Sequence, residues 1–184
     1  MEKIKTTEGD LIVRDARIAI IASRFNDFIV ESLVKGALRC LRQHGAEDGN
    51  LEIFRVPGAY EMPLTVNKVA AARRFDGIIA LGAVIRGGTP HFDYVAGECV
   101  KGIAAAGQRH GIPIGNGVLT VETIEQAIEN RRAASHGIHQ RGPPVSVLKI
   151  HVGVGRKQSL DHLAMLAINR CHQCSNPRPR GVIR

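Results

Sequence analysis

The sequence predicts an α/β protein: three layers, α/β/α, around a four-stranded parallel sheet, followed by an atypical C-terminal tail. Three observations predict it. Strand-length apolar runs alternate four times with segments of helical spacing, the order that builds a parallel sheet with right-handed crossovers. Residues 17–23 and 77–84 are apolar almost without interruption, as strands covered on both faces must be. The chain is 44% hydrophobic but only 4% aromatic and has no tryptophan, so its core is built from Ile, Val, Leu and Ala. A length of 184 residues fits one ordinary domain.

The elements follow in order. Arg17-Ile-Ala-Ile-Ile-Ala-Ser23 is the first buried strand. Asn26 and Asp27 are candidate caps for a helix carried by Ile29, Leu33, Gly36, Ala37, Cys40 and Leu41 and stopped at Gly45. Residues 51–56 alternate like a strand, and Pro57-Gly58 ends it. Pro63 suits the first turn of a helix through Ala72. Residues 77–84 form the next buried strand. The glycine-rich loop Arg86-Gly87-Gly88-Thr89-Pro90-His91 leads into a helix running to about Ala106. Residues 112–119 are a fourth strand, and Thr120 is the expected cap of a helix from Val121 to about Arg131. Leu11 to Val13 is a candidate edge strand.

Charge and cysteines narrow the function classes. The net charge of +8 is not spread along the chain. Residues 1–131 carry sixteen Lys/Arg and sixteen Asp/Glu, whereas residues 132–184 carry nine Lys/Arg and a single acid, Asp161. The basic character describes the tail. The tail also has no Phe, Tyr or Trp, so base stacking is unsupported and nucleic acid is not the expected partner. No run approaches the ~20 apolar residues that span a bilayer. Met1 to Asp10 is charged and polar with no apolar signal core after it, so a soluble cytoplasmic protein is expected. Cys40 and Cys99 sit in apolar helical patterns and read as small core residues. Cys171 and Cys174 form one C-x-x-C without a second ligand pair, and no metal site is expected.

In parallel α/β sheets ligands bind beyond the carboxyl ends of the strands. Four segments converge there: Ser23–Asp27, Pro57–Glu61, Ile85–His91 and the end of the fourth strand. Gly87 and Gly88 let backbone N–H groups approach an anion, Thr89 adds a hydroxyl, and the helix start that follows favours negative charge. A turn that merely needs glycine is the alternative. His91 at that helix start can exchange protons near neutral pH, or serve as a cap. Phe25 can stack on a planar heterocycle, or plug the sheet end. Glu61 can accept hydrogen bonds from substrate hydroxyls, or favour the helix dipole.

Four segments then carry a resemblance. Arg24-Phe25-Asn26-Asp27-Phe28-Ile29, Val56-Pro57-Gly58-Ala59-Tyr60-Glu61-Met62-Pro63, the run from Leu81 through His91 to Tyr94, and Gly117-Val118-Leu119-Thr120 with Glu125-Gln126-Ala127-Ile128-Glu129 resemble successive signatures of the lumazine synthase family. They stand in the family's order and at its spacings, over about residues 10–131. The resemblance implies a flavodoxin-like topology for residues 1–131. It implies condensation of 5-amino-6-(D-ribitylamino)uracil with 3,4-dihydroxy-2-butanone 4-phosphate to 6,7-dimethyl-8-ribityllumazine in riboflavin biosynthesis, with no metal or organic cofactor. By resemblance, Phe25 stacks on the pyrimidine, Ala59, Tyr60 and Glu61 hold the ribityl chain, and Ala83, Val84 and Ile85 line the ring pocket. Gly87, Gly88 and Thr89 bind phosphate with Arg131 of a neighbouring subunit, and His91 moves protons. The family further implies a homopentamer, in some members a larger icosahedral shell, and riboflavin synthase as a partner.

The chain departs from the family pattern at two places. Asn116 stands where the family often carries a phenylalanine that covers the ring from the next subunit. After Arg131 the family's lysine-containing loop and closing helix are replaced by a basic segment holding five of the eight histidines and four of the eight prolines. Residues 132–184 therefore form a divergent segment, read either as a shifted reading frame or as a basic tail. Leu160, Leu163, Ala164 and Ala167 would form one short helix there, and the rest has the composition of a disordered segment. Two other functions compete with the enzyme: a ligand-binding or shell-forming relative that has lost turnover, and a basic-tail interaction protein.

Overall fold

The computed structural model describes residues 12–136, with side chains described as far as residue 130. The expectations for the short helix after Ser159, the Cys171–Cys174 pair and the tail beyond residue 136 lie outside the described residues, as does the side chain of Arg131.

The elements alternate as the sequence predicts: β1 (Ile18–Ser23), α1 (Asp27–Gln43), β2 (Leu51–Val56), α2 (Met62–Ala71), β3 (Gly77–Ile85), α3 (His91–His110), β4 (Ile114–Val121) and α4 (Ile124–His136). The sheet order is β2-β1-β3-β4, and every pair is parallel. This is the doubly wound order, with helices on both faces. Pleating divides each central strand between two cores. Ile18, Ile20 and Ala22 of β1 and Ile79, Leu81 and Ala83 of β3 pack under α1 and α4. Ala19 and Ile21, with Ile78 and Ala80, pack under α2 and α3, against Met62, Val66, Cys99 and Ile103. All six residues of β1 are buried. Each buried Ile or Val contributes about 1.5–3 kcal/mol, so the middle of the sheet is the rigid part. At the β2 edge, Phe54 instead meets Phe75 edge-to-face, with centroids 5.8 Å apart.

Three boundaries differ from the sequence reading. Helix α3 passes Gly107 and ends at Gly111, which takes the left-handed conformation (φ 61°) and donates its N–H to the Gly107 carbonyl. Strand β4 runs to Val121 opposite Ile85, so Thr120 is a strand residue and not a cap. Thr123 does the capping: its hydroxyl accepts the Gln126 N–H at 3.3 Å, and Gln126 Oε1 accepts the Glu122 N–H at 2.9 Å. This is close to a capping box. Of the candidate edge strand Leu11 to Val13, Leu11 lies outside the described residues, and Ile12 and Val13 form no strand. Val13 is buried in the α1 core and donates its N–H to the His44 carbonyl at 2.8 Å, so it is held by the end of α1. No helix of the described residues is long and apolar enough to cross a membrane.

Two predictions follow from the α2–α3 side. A Cβ on Gly102 would lie 2.4 Å from Pro63 Cβ, so the helices approach through that glycine. Gly102→Ala is expected to lower stability by about 1–3 kcal/mol despite its gain in helix propensity; an unchanged or raised urea midpoint would count against this packing. Cys99 is fully buried, and burial pushes its thiol up from 9.0 to about 11. Between those values the unfolded chain binds fewer protons than the folded one, so stability falls as pH rises. Wild type should lose about 2 kcal/mol more than Cys99→Ala between pH 8 and pH 10.5, and equal losses in urea titrations would refute the assignment.

Candidate functional site

The carboxyl edge of the sheet is uneven. Pairing of β1 with β3 ends at Ala22↔Leu81, whereas β3 and β4 stay paired to Ile85↔Val121. Along Gly82, Ala83, Val84 and Ile85 the β1 side of β3 has no strand partner among the described residues. This opens a notch about 13 Å long at ~3.3 Å per residue. Backbone groups of alternate residues point to the same side of a strand, so Ala83 and Ile85 present theirs to the notch.

Asn26 enters this notch. Its backbone is left-handed (φ 59°, ψ 41°), and at the N-cap position of α1 its side chain makes no cap hydrogen bond. Instead Nδ2 donates to the Ala83 carbonyl at 2.9 Å. The expected cap is thus a tie between strands. Asp27 takes the local role, its Oδ1 accepting the Phe28 N–H at 2.7 Å. This bond takes up the Ala83 carbonyl, and the backbone of Ile85 also faces the notch.

Phe25 is pinned by its backbone and free at its ring. Its N–H donates to Pro57 O at 2.9 Å, and its carbonyl accepts from the Ser23 hydroxyl at 3.3 Å. Ser23 is buried (1% exposed), while Phe25 is 71% exposed. A Cβ on Gly82 would lie 3.3 Å from Ser23 Oγ, so Gly82 makes the room Ser23 needs. Arg24 N–H also donates to Val56 O at 2.8 Å. The exits of β1 and β2 are thereby joined.

From the β2 exit come Ala59, buried, and Tyr60, 62% exposed. Glu61 opens α2 without a side-chain cap bond. Its Oε2 would lie 3.1 Å from a Cβ on Gly58, so the carboxylate folds back over that glycine. Ala83 and Val84 are buried at the notch wall, and Ile85 is half-buried. Gly87, Gly88, Thr89 and His91 are exposed, and a Cβ on Gly87 or Gly88 would meet nothing within 4 Å. Asp93 N–H donates to Pro90 O at 3.0 Å, closing the turn. Asn116 is not brought to this edge within one protomer. It pairs with Ala80, about 16 Å below Val121 at ~3.3 Å per residue, and its Oδ1 accepts the Val118 N–H at 3.1 Å. Arg131 lies in α4.

Two further residues shape the site and were missed in these roles by sequence reasoning. One is Asn26. The other is Arg86, whose NH2 and NH1 donate to Asp93 Oδ1 and Oδ2 at 3.0 and 3.2 Å, while Nε donates to Glu122 Oε2 at 2.6 Å. Its guanidinium also lies 4.2 Å from the Phe92 ring centroid. The Asp93 bonds first, and then Glu122, raise its hold on the proton. Opposite charge at Asp93 across a short loop is a signal that could have been read, but Glu122 is brought in only by the fold.

The Asn26 tie has a measurable signature. Asn26→Gly should lose only the hydrogen bond, about 1 kcal/mol, whereas Asn26→Ala should lose that and about 1 kcal/mol more for a left-handed Cβ. Equal urea midpoints for the two variants would show that no conformational cost is held there.

The family model described as 6,7-dimethyl-8-ribityllumazine synthase matches residues 15–145. A 6,7-dimethyl-8-ribityllumazine synthase of Desulfovibrio desulfuricans is 48% identical over 152 residues, covering 82% of this chain and 97% of that protein. Another, from Halorhodospira halophila, is 57% identical over 127 residues, covering 68% and 81%. The matched span takes in all four strands and every segment that meets at the notch, and the chain belongs to the 6,7-dimethyl-8-ribityllumazine synthase family.

Proposed function

We propose that this chain condenses 5-amino-6-(D-ribitylamino)uracil with 3,4-dihydroxy-2-butanone 4-phosphate, releasing 6,7-dimethyl-8-ribityllumazine, phosphate and water. The observation that carries the reading is the notch itself. One sheet edge holds an exposed, backbone-pinned aromatic, a carboxylate and an open glycine loop ending in a histidine, in a chain of this family.

In this reading Phe25 stacks on the pyrimidine face, and Ile85 offers backbone hydrogen bonds to the ring edge beside Ala83 and Val84. Ala59, Tyr60 and Glu61 hold the ribityl chain, with the Glu61 carboxylate accepting from its hydroxyls. The N–H groups of Gly87 and Gly88, the Thr89 hydroxyl and the start of the 20-residue helix α3 take the phosphate, with Arg131 of an adjacent subunit. Asn116 of an adjacent subunit borders the ring.

The chemistry asks for little beyond this. The uracil amine adds to the ketone, and water leaves as the imine forms; His91 delivers the proton that lets hydroxide depart as water. Removal of the proton beside the imine carbon lets phosphate leave with the electrons of its C–O bond, and donors at the loop stabilise that charge; the enol left behind becomes a ketone, the ribityl-bearing nitrogen adds to it, and a second water leaves as the ring closes. Holding both substrates in one notch supplies much of the rate. We place the working unit at residues 1–131, with 132–184 a divergent basic segment, in a cytoplasmic homopentamer that builds toward a larger shell and meets riboflavin synthase. Neither nucleic acid nor membrane has a part in it.

The test is to mix the full chain with both substrates, without added metal or cofactor, and follow lumazine fluorescence. Turnover is expected, and His91→Ala should lower kcat by roughly 10²-fold with the far-UV circular dichroism unchanged. A native-like chain that yields no fluorescence would reject the reading.

A further inference from the structure

We infer that Arg86 is a positioning residue: clamped by Asp93 and Glu122, it fixes the loop through Gly87–His91 in its binding shape and does not itself contact phosphate. The inference rests on the proposed reaction for its consequence, but its geometry stands apart.

An arginine that opens a phosphate-binding loop would ordinarily be read as a phosphate ligand. Here three of its five N–H donors are already engaged with carboxylates. NH1 and NH2 meet the two oxygens of Asp93, and Nε meets Glu122. One positive charge faces two carboxylates, so the cluster carries a net negative charge and offers an incoming phosphate no attraction. The Phe92 ring covers the guanidinium at 4.2 Å, and the side chain is 37% exposed.

What the cluster does is mechanical. Arg86 is the first residue after β3, and its own N–H donates to Val121 O at 2.9 Å. Asp93 lies in the first turn of α3, and Glu122 directly follows β4. The three side chains thus join the strand before the loop, the helix after it and the neighbouring strand exit. Between them run two glycines with open space around their Cα atoms. Such a segment has many conformations, and without a clamp each binding event would have to select one. An isolated surface ion pair would do little. This one is bidentate, has a third charged partner and is stacked on a ring, which fixes its geometry as well as its distance.

Inorganic phosphate, as a competitor of the butanone phosphate, probes the loop directly. Arg86→Gln and Asp93→Asn are each expected to weaken phosphate inhibition about tenfold, the scale of one lost charge-assisted hydrogen bond. The KM for the butanone phosphate should rise in parallel, with the KM for ribitylaminouracil within twofold of wild type. The double variant should be no weaker than the worse single one, because both remove the same clamp. If Arg86 contacts phosphate itself, Asp93→Asn frees the guanidinium and leaves phosphate inhibition unchanged or tighter; that result overturns the inference. Amide hydrogen exchange over residues 86–92 supplies a readout independent of turnover. Faster exchange in Arg86→Gln and in Glu122→Gln, with the β3 amides still protected, supports the clamp, and unchanged exchange overturns it. A wild-type chain that makes no lumazine would sink the proposed reaction, and the exchange data would still decide the clamp.

Discussion

Strand β3 runs four residues past the point where β1 stops pairing with it, and the rest of the carboxyl edge is arranged around that mismatch. A strand flank without a partner leaves backbone groups that must find hydrogen bonds elsewhere. Asn26 supplies an amide in place of a peptide, at the cost of a left-handed backbone that asparagine adopts more readily than most residues. That one bond carries the β1 exit to the β3 exit and sets where Phe25 begins. The next backbone position on that side, at Ile85, has no strand partner on the β1 side among the described residues. A site that reads the edge of a planar heterocycle with main-chain groups needs such a place, where the sheet would otherwise continue and does not.

Stability and site are built from different materials. The centre is aliphatic and sealed on both faces, and its two cores share β1 and β3 between them. The rim is held by polar ties: Phe25 to Pro57, Ser23 to Phe25, Asn26 to Ala83, Arg86 to Asp93 and Glu122. Each neutral tie is worth about 1 kcal/mol, less than the burial of an isoleucine. The rim can therefore be altered without unfolding the sheet.

This division explains what the sequence made legible. Strands buried on both faces leave unbroken apolar runs, so β1 and β3 could be read to within a residue, and β2 by its alternation. Helix α3 was read to about Ala106, yet the Gly107 that follows costs a helix only about 1 kcal/mol and Gly111 supplies the left-handed end. The cap of α4 was misplaced at Thr120, although the Thr123-x-x-Gln126 spacing was present to mark it. The glycine loop and His91 were legible because their chemistry is local. The Asn26 tie and the Glu122 half of the Arg86 clamp were not, because those partners stand 57 and 36 residues away in sequence. No periodicity records a partner at that distance.

The position of Asn116 carries the last step. It sits on β4 opposite Ala80, well below the rim, whereas Phe25 stands exposed at the rim. Within one protomer the two cannot touch the same small ring. Tyr60 and Tyr94 are also more than 60% exposed, and apolar rings gathered at one end of a molecule are costly to leave in water. Under the proposed function, in which both residues border the ring, Asn116 would have to come from the β4 side of a second copy. A pocket built that way exists only in the assembly, and its affinity would then depend on how firmly the copies hold together as well as on the residues that line it.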